Sequence, residues 1–169
     1  MTRQAWRRGR SSERGQTAIE AGVTVVLLFG LIFLVMDLSM LLFIRSTLQQ
    51  AVRNGVRIGA TGSQFGGHTY LNDSIRAAVQ AEALGFLNGS QGACKIAVNY
   101  FTPDTGAATS GTQGDVLVVS VNDFSYTPLG AVLRTADPFR ITVSSSDIVE
   151  RCPIGGCPIT ENPVPMVCP

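Results

Sequence analysis

The longest apolar stretch of the chain runs from Ala21 to Ile44 and contains one charged residue, Asp37. Its length of about 24 residues corresponds to roughly 36 Å of α-helix, which is enough to cross a bilayer. No proline interrupts the sequence from Thr17 to Ala60. The pattern therefore predicts one long helix over this range, with a transmembrane segment at 21–44.

Beyond the apolar run the same helix becomes amphipathic. Small and apolar residues recur there at spacings of three and four, and polar side chains occupy the opposite face. The apolar face holds Leu48, Ala51, Val52, Gly55, Val56 and Gly59, and the polar face holds Gln49, Gln50, Arg53, Asn54 and Arg57. Because the small residues permit close packing, we expect a sheet to pack on the apolar face.

The remainder of the chain predicts a second helix and three strands. The helix is expected from about Asn72 to Phe86, with Asn72 or Asp73 as its N-cap. Alternating or continuously apolar runs predict strands at 95–101, 116–124 and 139–149. The second run is apolar on both sides and is therefore expected at the centre of the sheet. The predicted fold is α+β: a long N-terminal transmembrane helical spine, a second short helix and a three-stranded, mostly antiparallel sheet.

Composition divides the chain into four segments. Residues 1–15 form a basic leader, 16–60 the long helix, 61–151 an α+β domain, and 152–169 a tail rich in proline and cysteine. The five prolines of the tail are incompatible with a regular element.

The charge distribution predicts the orientation in the membrane. The formal net charge is only +1, so no nucleic-acid partner is inferred, but the leader holds five arginines against Glu13 alone. Positive residues favour the cytoplasmic side. We therefore expect a single-pass protein of the cytoplasmic (inner) membrane, in contact with membrane lipid, with its C-terminal domain extracytoplasmic. A cleaved secretory signal is the competing interpretation, but its apolar core would be about 7–15 residues long.

Four cysteines follow the apolar run: Cys94, Cys152, Cys157 and Cys168. An even number in an exported domain favours disulfide bonds, and three pairings are possible. One of them closes a small loop between Cys152 and Cys157 and joins Cys94 to Cys168. A zinc site is less favoured because the cysteine spacing is loose and the single histidine, His68, is distant in sequence.

No enzymatic motif stands out. The sequence has no phosphate-binding loop or dinucleotide fingerprint. Ser144, Ser145 and Ser146 lack a Gly-x-Ser-x-Gly elbow, and His68 lies in a glycine-rich segment without an adjacent nucleophile. An anchored envelope hydrolase would need a nucleophile–base pair that the sequence does not suggest. We expect neither an enzyme nor a bound cofactor or metal.

The junction between leader and apolar run carries the most specific chemistry. Gly15 ends the leader, and Glu20 follows five residues later. A charge at the centre of a membrane costs roughly 2.5–3.5 kcal/mol and less near the interface, so the acid calls for a partner. Cleavage after Gly15 would create one, because the new amine of Gln16 is a cation at similar depth. This arrangement resembles the type IV pilin superfamily, in which a prepilin peptidase cuts after a glycine and the fifth residue of the product is glutamate.

A closer resemblance is to the TadE-like family, the minor pilins or pseudopilins of tight-adherence (Flp-type) pili. It rests on the sequence R-G-Q-T-A-I-E at Arg14 to Glu20 and on the segment Ile44 to Arg57, which is similar to the family pattern R-x-x-L-Q-x-A-x-R-x-G-A-R. The resemblance implies that Gly15 precedes the cleaved bond, Gln16 becomes the N-terminus, and Glu20 aids assembly by neutralising a neighbour's amine. It implies as partners a prepilin peptidase, the major and other minor pilins, and the pilus assembly platform. The extracellular pilus is a second location.

Two departures favour a minor subunit over the bulk of a fibre. The residue after Glu20 is Ala21, where major pilins of this class have tyrosine, and the domain is far longer than theirs. The first residue after the cut is Gln16, where many type IV pilins have phenylalanine; an N-terminal glutamine can also cyclise to pyroglutamate and lose its charge. The alternative function is an uncleaved single-pass anchor that presents a binding domain in the cell envelope.

Overall fold

A computed structural model describes residues 10–128 and 138–150. The described elements follow one another as three helices and then three strands. They are α1 (Arg10–Thr61), α2 (Leu71–Glu82), α3 (Gly89–Cys94), β1 (Ile96–Phe101), β2 (Val116–Tyr126) and β3 (Phe139–Ile148). This α+β architecture is the one that the sequence predicts.

The three strands form one antiparallel sheet in the order β1-β2-β3. Val121 of β2 pairs with Ile96 on one side and Val143 on the other, which confirms the central position predicted for β2. The register between β2 and β3 shifts between Val121 and Phe124, at a β-bulge.

The described residues fall into two compact units, which divide α1 after Met40. The first unit contains the N-terminal part of α1. The second contains α1 from Leu41 onwards, the two shorter helices and the sheet.

The core of the second unit lies between the apolar face of α1, the helix α2 and one face of the sheet. The side chains shared by this core include Leu48, Val52, Ile75, Val79, Leu117, Val119 and Val121, all fully buried. Ile44, the last residue of the apolar run, also belongs to it, with 1% of its surface exposed.

The small residues of α1 permit close packing, as predicted, but the sheet is only part of what they contact. A methyl group built on Gly59 would overlap Leu117 of β2 and lie 2.8 Å from Ile75 Cδ1 of α2. One built on Gly55 would overlap Val79 of α2. The apolar face therefore receives both a helix and a strand.

The predicted second helix is shorter than expected. It ends at Glu82, and Leu84 and Gly85 follow with φ of 50° and 88°, values that α-helices exclude. The residue before α2 is Tyr70, so the N-cap prediction is wrong. Asn72 lies inside the helix, where its Oδ1 accepts a buried hydrogen bond from the hydroxyl of Tyr100 at 3.0 Å.

Helix α2 runs back along α1 in the antiparallel direction. Ile75 lies beside Gly59, and Val79 beside Gly55. Beyond α2, the ring of Phe86 packs against that of Phe43, with their centres 6.3 Å apart. The second unit therefore has a Phe43 end, where α1 enters the unit, and an opposite Ala60 end, where the amide of Glu150 donates to the carbonyl of Ala60 at 3.0 Å.

Candidate functional site

The three residues singled out by the pilin resemblance lie close together near the start of α1. Gly15, Gln16 and Glu20 are all exposed and belong to one continuous helix that begins at Arg10. The Gly15–Gln16 peptide bond is thus flanked by helical residues on both sides. Because glycine lowers helix stability by about 1 kcal/mol relative to alanine, Gly15 makes this turn of α1 easier to unwind.

Glu20 is exposed near the start of α1. Its backbone carbonyl accepts a hydrogen bond from Thr24 Oγ1 at 2.8 Å. The ion pairs Arg76–Asp73 and Arg140–Asp123 do not involve Glu20.

The apolar part of α1 in the first unit exposes nearly all of its side chains. Val26, Leu27, Leu31 and Leu34 each have 60% or more of their surface exposed. Within the described part of the chain, α1 is the one helix long and apolar enough to cross a membrane. Such exposure is unfavourable in water and is what a lipid or helix partner would remove.

The glycines of α1 divide into two classes. A methyl group built on Gly15, Gly22 or Gly30 would meet no atom within 4 Å, whereas Gly55 and Gly59 are closely packed. The first three are therefore not required by the packing of the described chain.

The other candidate residues are not brought into a common site by the described structure. Cys94 is half-buried at the end of α3, while Cys152, Cys157 and Cys168 lie outside the described residues, so the disulfide bonds stay a prediction. His68 is exposed in the loop after α1, and Ser144, Ser145 and Ser146 lie on β3. In the described ranges, no three potential His, Cys, Asp or Glu ligands cluster as a metal site would require.

One carboxylate of the second unit has a perturbed pKa. Asp115 is buried and accepts hydrogen bonds from Thr109 Oγ1, from the amide of Thr112 at 2.6 Å and from the hydroxyl of Thr112 at 2.9 Å. The Thr109 hydroxyl is the largest of the influences that hold the pKa of Asp115 below its usual value, while burial opposes them. This arrangement fixes the loop that precedes β2.

Sequence reasoning missed an aromatic cluster at the Phe43 end of the second unit. The rings of Phe43 and Phe86 lie 6.3 Å apart, those of Phe86 and Phe124 lie 6.0 Å apart, and both contacts are edge-to-face. Lys95 Nζ lies 5.5 Å from the centre of the Phe124 ring. These residues come from separate parts of the chain, and only the position of Phe43 at the end of the apolar run was a visible signal.

Comparison with known proteins supports the N-terminal assignment. No curated protein and no solved structure matched the chain. One family model, described as TadE-like protein, matches residues 15–57, a range that holds Gly15, Glu20 and the apolar helix. The N-terminal part of this chain is therefore TadE-like, as the resemblance of its sequence indicated.

Proposed function

We propose that this protein is a minor pilin, or pseudopilin, of a tight-adherence pilus. A prepilin peptidase removes residues 1–15, and the mature subunit assembles through its N-terminal helix with major and other minor pilins on the assembly platform. The observation that carries the proposal is the exposed Glu20, five residues after Gly15, at the start of an exposed apolar helix within the TadE-like segment.

Cleavage changes the electrostatics of this helix end. Before it, the nitrogen of Gln16 is a neutral backbone amide; after it, the same atom is an ammonium group. Bringing Glu20 of one subunit to that ammonium of a neighbour places two opposite charges together at the membrane surface. In the low dielectric near lipid such a pair is stronger than in water, so processing couples to assembly.

The open space around Gly22 and Gly30 supports assembly through α1. Association of helices in lipid depends on close van der Waals contact, for which small residues are favoured. Gly22 and Gly30 meet nothing in the described chain, so their surfaces are available to helices of other subunits.

The core of the second unit refines the length of the span. Because Ile44 is buried in that core and the second unit begins at Leu41, we place the membrane segment at 21–40 instead of 21–44. This segment of about 20 residues is roughly 30 Å long as a helix, which matches the hydrocarbon thickness of a bilayer. The leader remains in the cytoplasm and the second unit lies outside it.

The decisive experiment is the intact mass and N-terminal peptide of the protein extracted from membranes of its native host. The proposal expects a chain that begins at Gln16, as free glutamine or pyroglutamate. Pyroglutamate would preserve processing but remove the charge proposed to pair with Glu20. A chain that begins near Met1, in cells with an active prepilin peptidase, would favour the uncleaved membrane-anchored binding domain.

A second experiment tests the role of Glu20. Glu20→Gln keeps the shape of the side chain and removes its charge, so the protein should be processed and retained in the membrane while pilus formation falls. Glu13→Gln is the matched control, because it removes an acid that the peptidase discards. Equal piliation in the two variants would contradict the assembly role of Glu20.

A further inference from the structure

Large apolar side chains are concentrated at the Phe43 end of the second unit. Phe43 and Leu42 follow the first unit directly, Leu84 lies in the turn after α2, and Phe139 begins β3 opposite Tyr126. The exposed fractions of Phe43, Leu84 and Phe139 are 50%, 68% and 53%. Together with the half-buried rings of Phe86 and Phe124, they form a surface that we call the aromatic end.

The backbone at Leu84 makes this exposure more informative. Leu84 has φ of 50°, in the left-handed region that leucine rarely adopts, and among the described large apolar residues of the second unit it is the most exposed. In water, exposing an apolar side chain on a strained turn adds no stability to the fold. It gains stability if the side chain enters an apolar phase.

The position of the aromatic end along α1 identifies that phase. Phe43 follows Met40, the end of the proposed span, by three residues, or about 4.5 Å along a helix. The headgroup layer on each side of the hydrocarbon core is about 5–7 Å thick. Phe43 and the Phe86 ring packed on it therefore fall within this layer.

The charges around the aromatic end suit a lipid surface. The ammonium group of Lys95, a half-buried residue, lies over the Phe124 ring, 5.5 Å from its centre. The nearby acid Asp123 forms an exposed ion pair with Arg140 at 3.2 Å, and the carboxylate of Glu82 accepts a hydrogen bond from Asn54 at 3.4 Å. Apolar rings with a cation beside them are typical of groups that lie at membrane interfaces.

We propose that the aromatic end docks on the bilayer surface, with Leu84 and Phe139 inserted at the level of the headgroups and Lys95 bound to anionic lipid. The docking involves this chain and lipid alone. It rests on α1 crossing the bilayer, as in the proposed function, and does not depend on cleavage or on a pilus.

The test uses the full chain reconstituted in vesicles of phosphatidylcholine and phosphatidylglycerol with brominated acyl chains. Trp6→Phe removes the single tryptophan of the sequence, and Leu84→Trp or Phe139→Trp then introduces a reporter at the aromatic end. The matched control is Phe65→Trp, which replaces an exposed ring in the loop at the Ala60 end. Alkaline carbonate extraction of the same vesicles establishes that α1 is inserted.

We expect quenching and a blue shift of emission for both reporters at the aromatic end, and neither change for the control. In vesicles that retain the protein after carbonate extraction, equal emission of all three reporters would overturn the docking while leaving the span intact. Quenching that disappears when the protein is diluted in lipid would assign the surface to a second copy of the chain and also overturn it. Lys95→Gln should weaken the quenching of Leu84→Trp, and an unchanged signal would overturn the assigned role of Lys95.

Discussion

Replacing Gly59 by alanine should destabilise the second unit, although alanine is the better helix former. The added methyl group would overlap the end of Leu117 and lie 2.8 Å from Ile75 Cδ1. Both side chains are fully buried, so neither can move without displacing others in the core. At this position, the cost of overpacking the core therefore acts against the gain in helix propensity.

The two terms give the expected magnitude. Overpacking a well-packed core costs about 1–3 kcal/mol, and exchanging glycine for alanine in a helix returns about 1 kcal/mol. The net loss in the free energy of unfolding is therefore about 1–2 kcal/mol when the packing term lies in its upper half. For a domain of about 100 residues, this corresponds to a fall in Tm of roughly 5–15 °C.

The measurement is thermal unfolding of the full chain in detergent micelles, followed by near-ultraviolet circular dichroism of the aromatic side chains in the second unit. Gly30→Ala is the matched control, since it makes the same change in the same helix where nothing lies within 4 Å. We expect its Tm to equal that of the wild type. A Gly59→Ala variant as stable as the control would refute the close packing of α1 on β2 and α2.

Three further predictions concern other parts of the chain. Tyr100→Phe should lower the free energy of unfolding by about 1–3 kcal/mol in chemical denaturation, because it leaves the buried Oδ1 of Asn72 without its donor; stability equal to the wild type would contradict that bond. Asp115, whose folded pKa lies below the usual 3.8, stabilises the fold above that pH and ceases to do so as the pH falls through the folded pKa. In pH-dependent thermal unfolding, Asp115→Asn should therefore be less stable than the wild type at neutral pH and approach it in acid; a constant difference at every pH would contradict the shift. Gly22→Leu should leave Tm unchanged and reduce piliation in the native host; normal pili would exclude the face around Gly22 from helix contacts.

Local sequence pattern predicted most of the second unit's fold. The alternation around Ile96 and Val143 and the continuous apolar run around Val119 led to three strands in the correct order, because half-buried and central strands leave different patterns. Helix α3 was missed, since six residues that include Gly89 and Gly92 have little intrinsic tendency to form a helix. The chain is locally tight there, because a methyl group on Gly92 would overlap the backbone of Leu87, five residues earlier.

The candidate sites differ in the same way. Gly15 and Glu20 lie five residues apart on one helix, so their spacing is visible in the sequence, and both fall within the range that the TadE-like model matches. The aromatic end contains Phe43, Phe86 and Phe124, which come from three separate parts of the chain. They meet because α2 runs back along α1, which brings Phe86 to Phe43, and because β2 brings Phe124 to Phe86. The hydrophobic periodicity of a single helix or strand cannot predict a cluster that several elements form together.

The TadE-like segment lies on one continuous helix that contributes to both units. It spans residues 15–57 and thus contains Gly22 and Gly30, where a methyl group would have open space, together with Gly55, which Val79 packs against. It stops before every strand of the sheet. Substitutions in the first half should therefore impair assembly without unfolding the second unit, and substitutions in the second half should do the reverse. The boundary between the two units falls between Met40 and Leu41, where we propose that the span ends. On that proposal, the open glycines Gly22 and Gly30 lie within the membrane, and the closely packed Gly55 lies outside it.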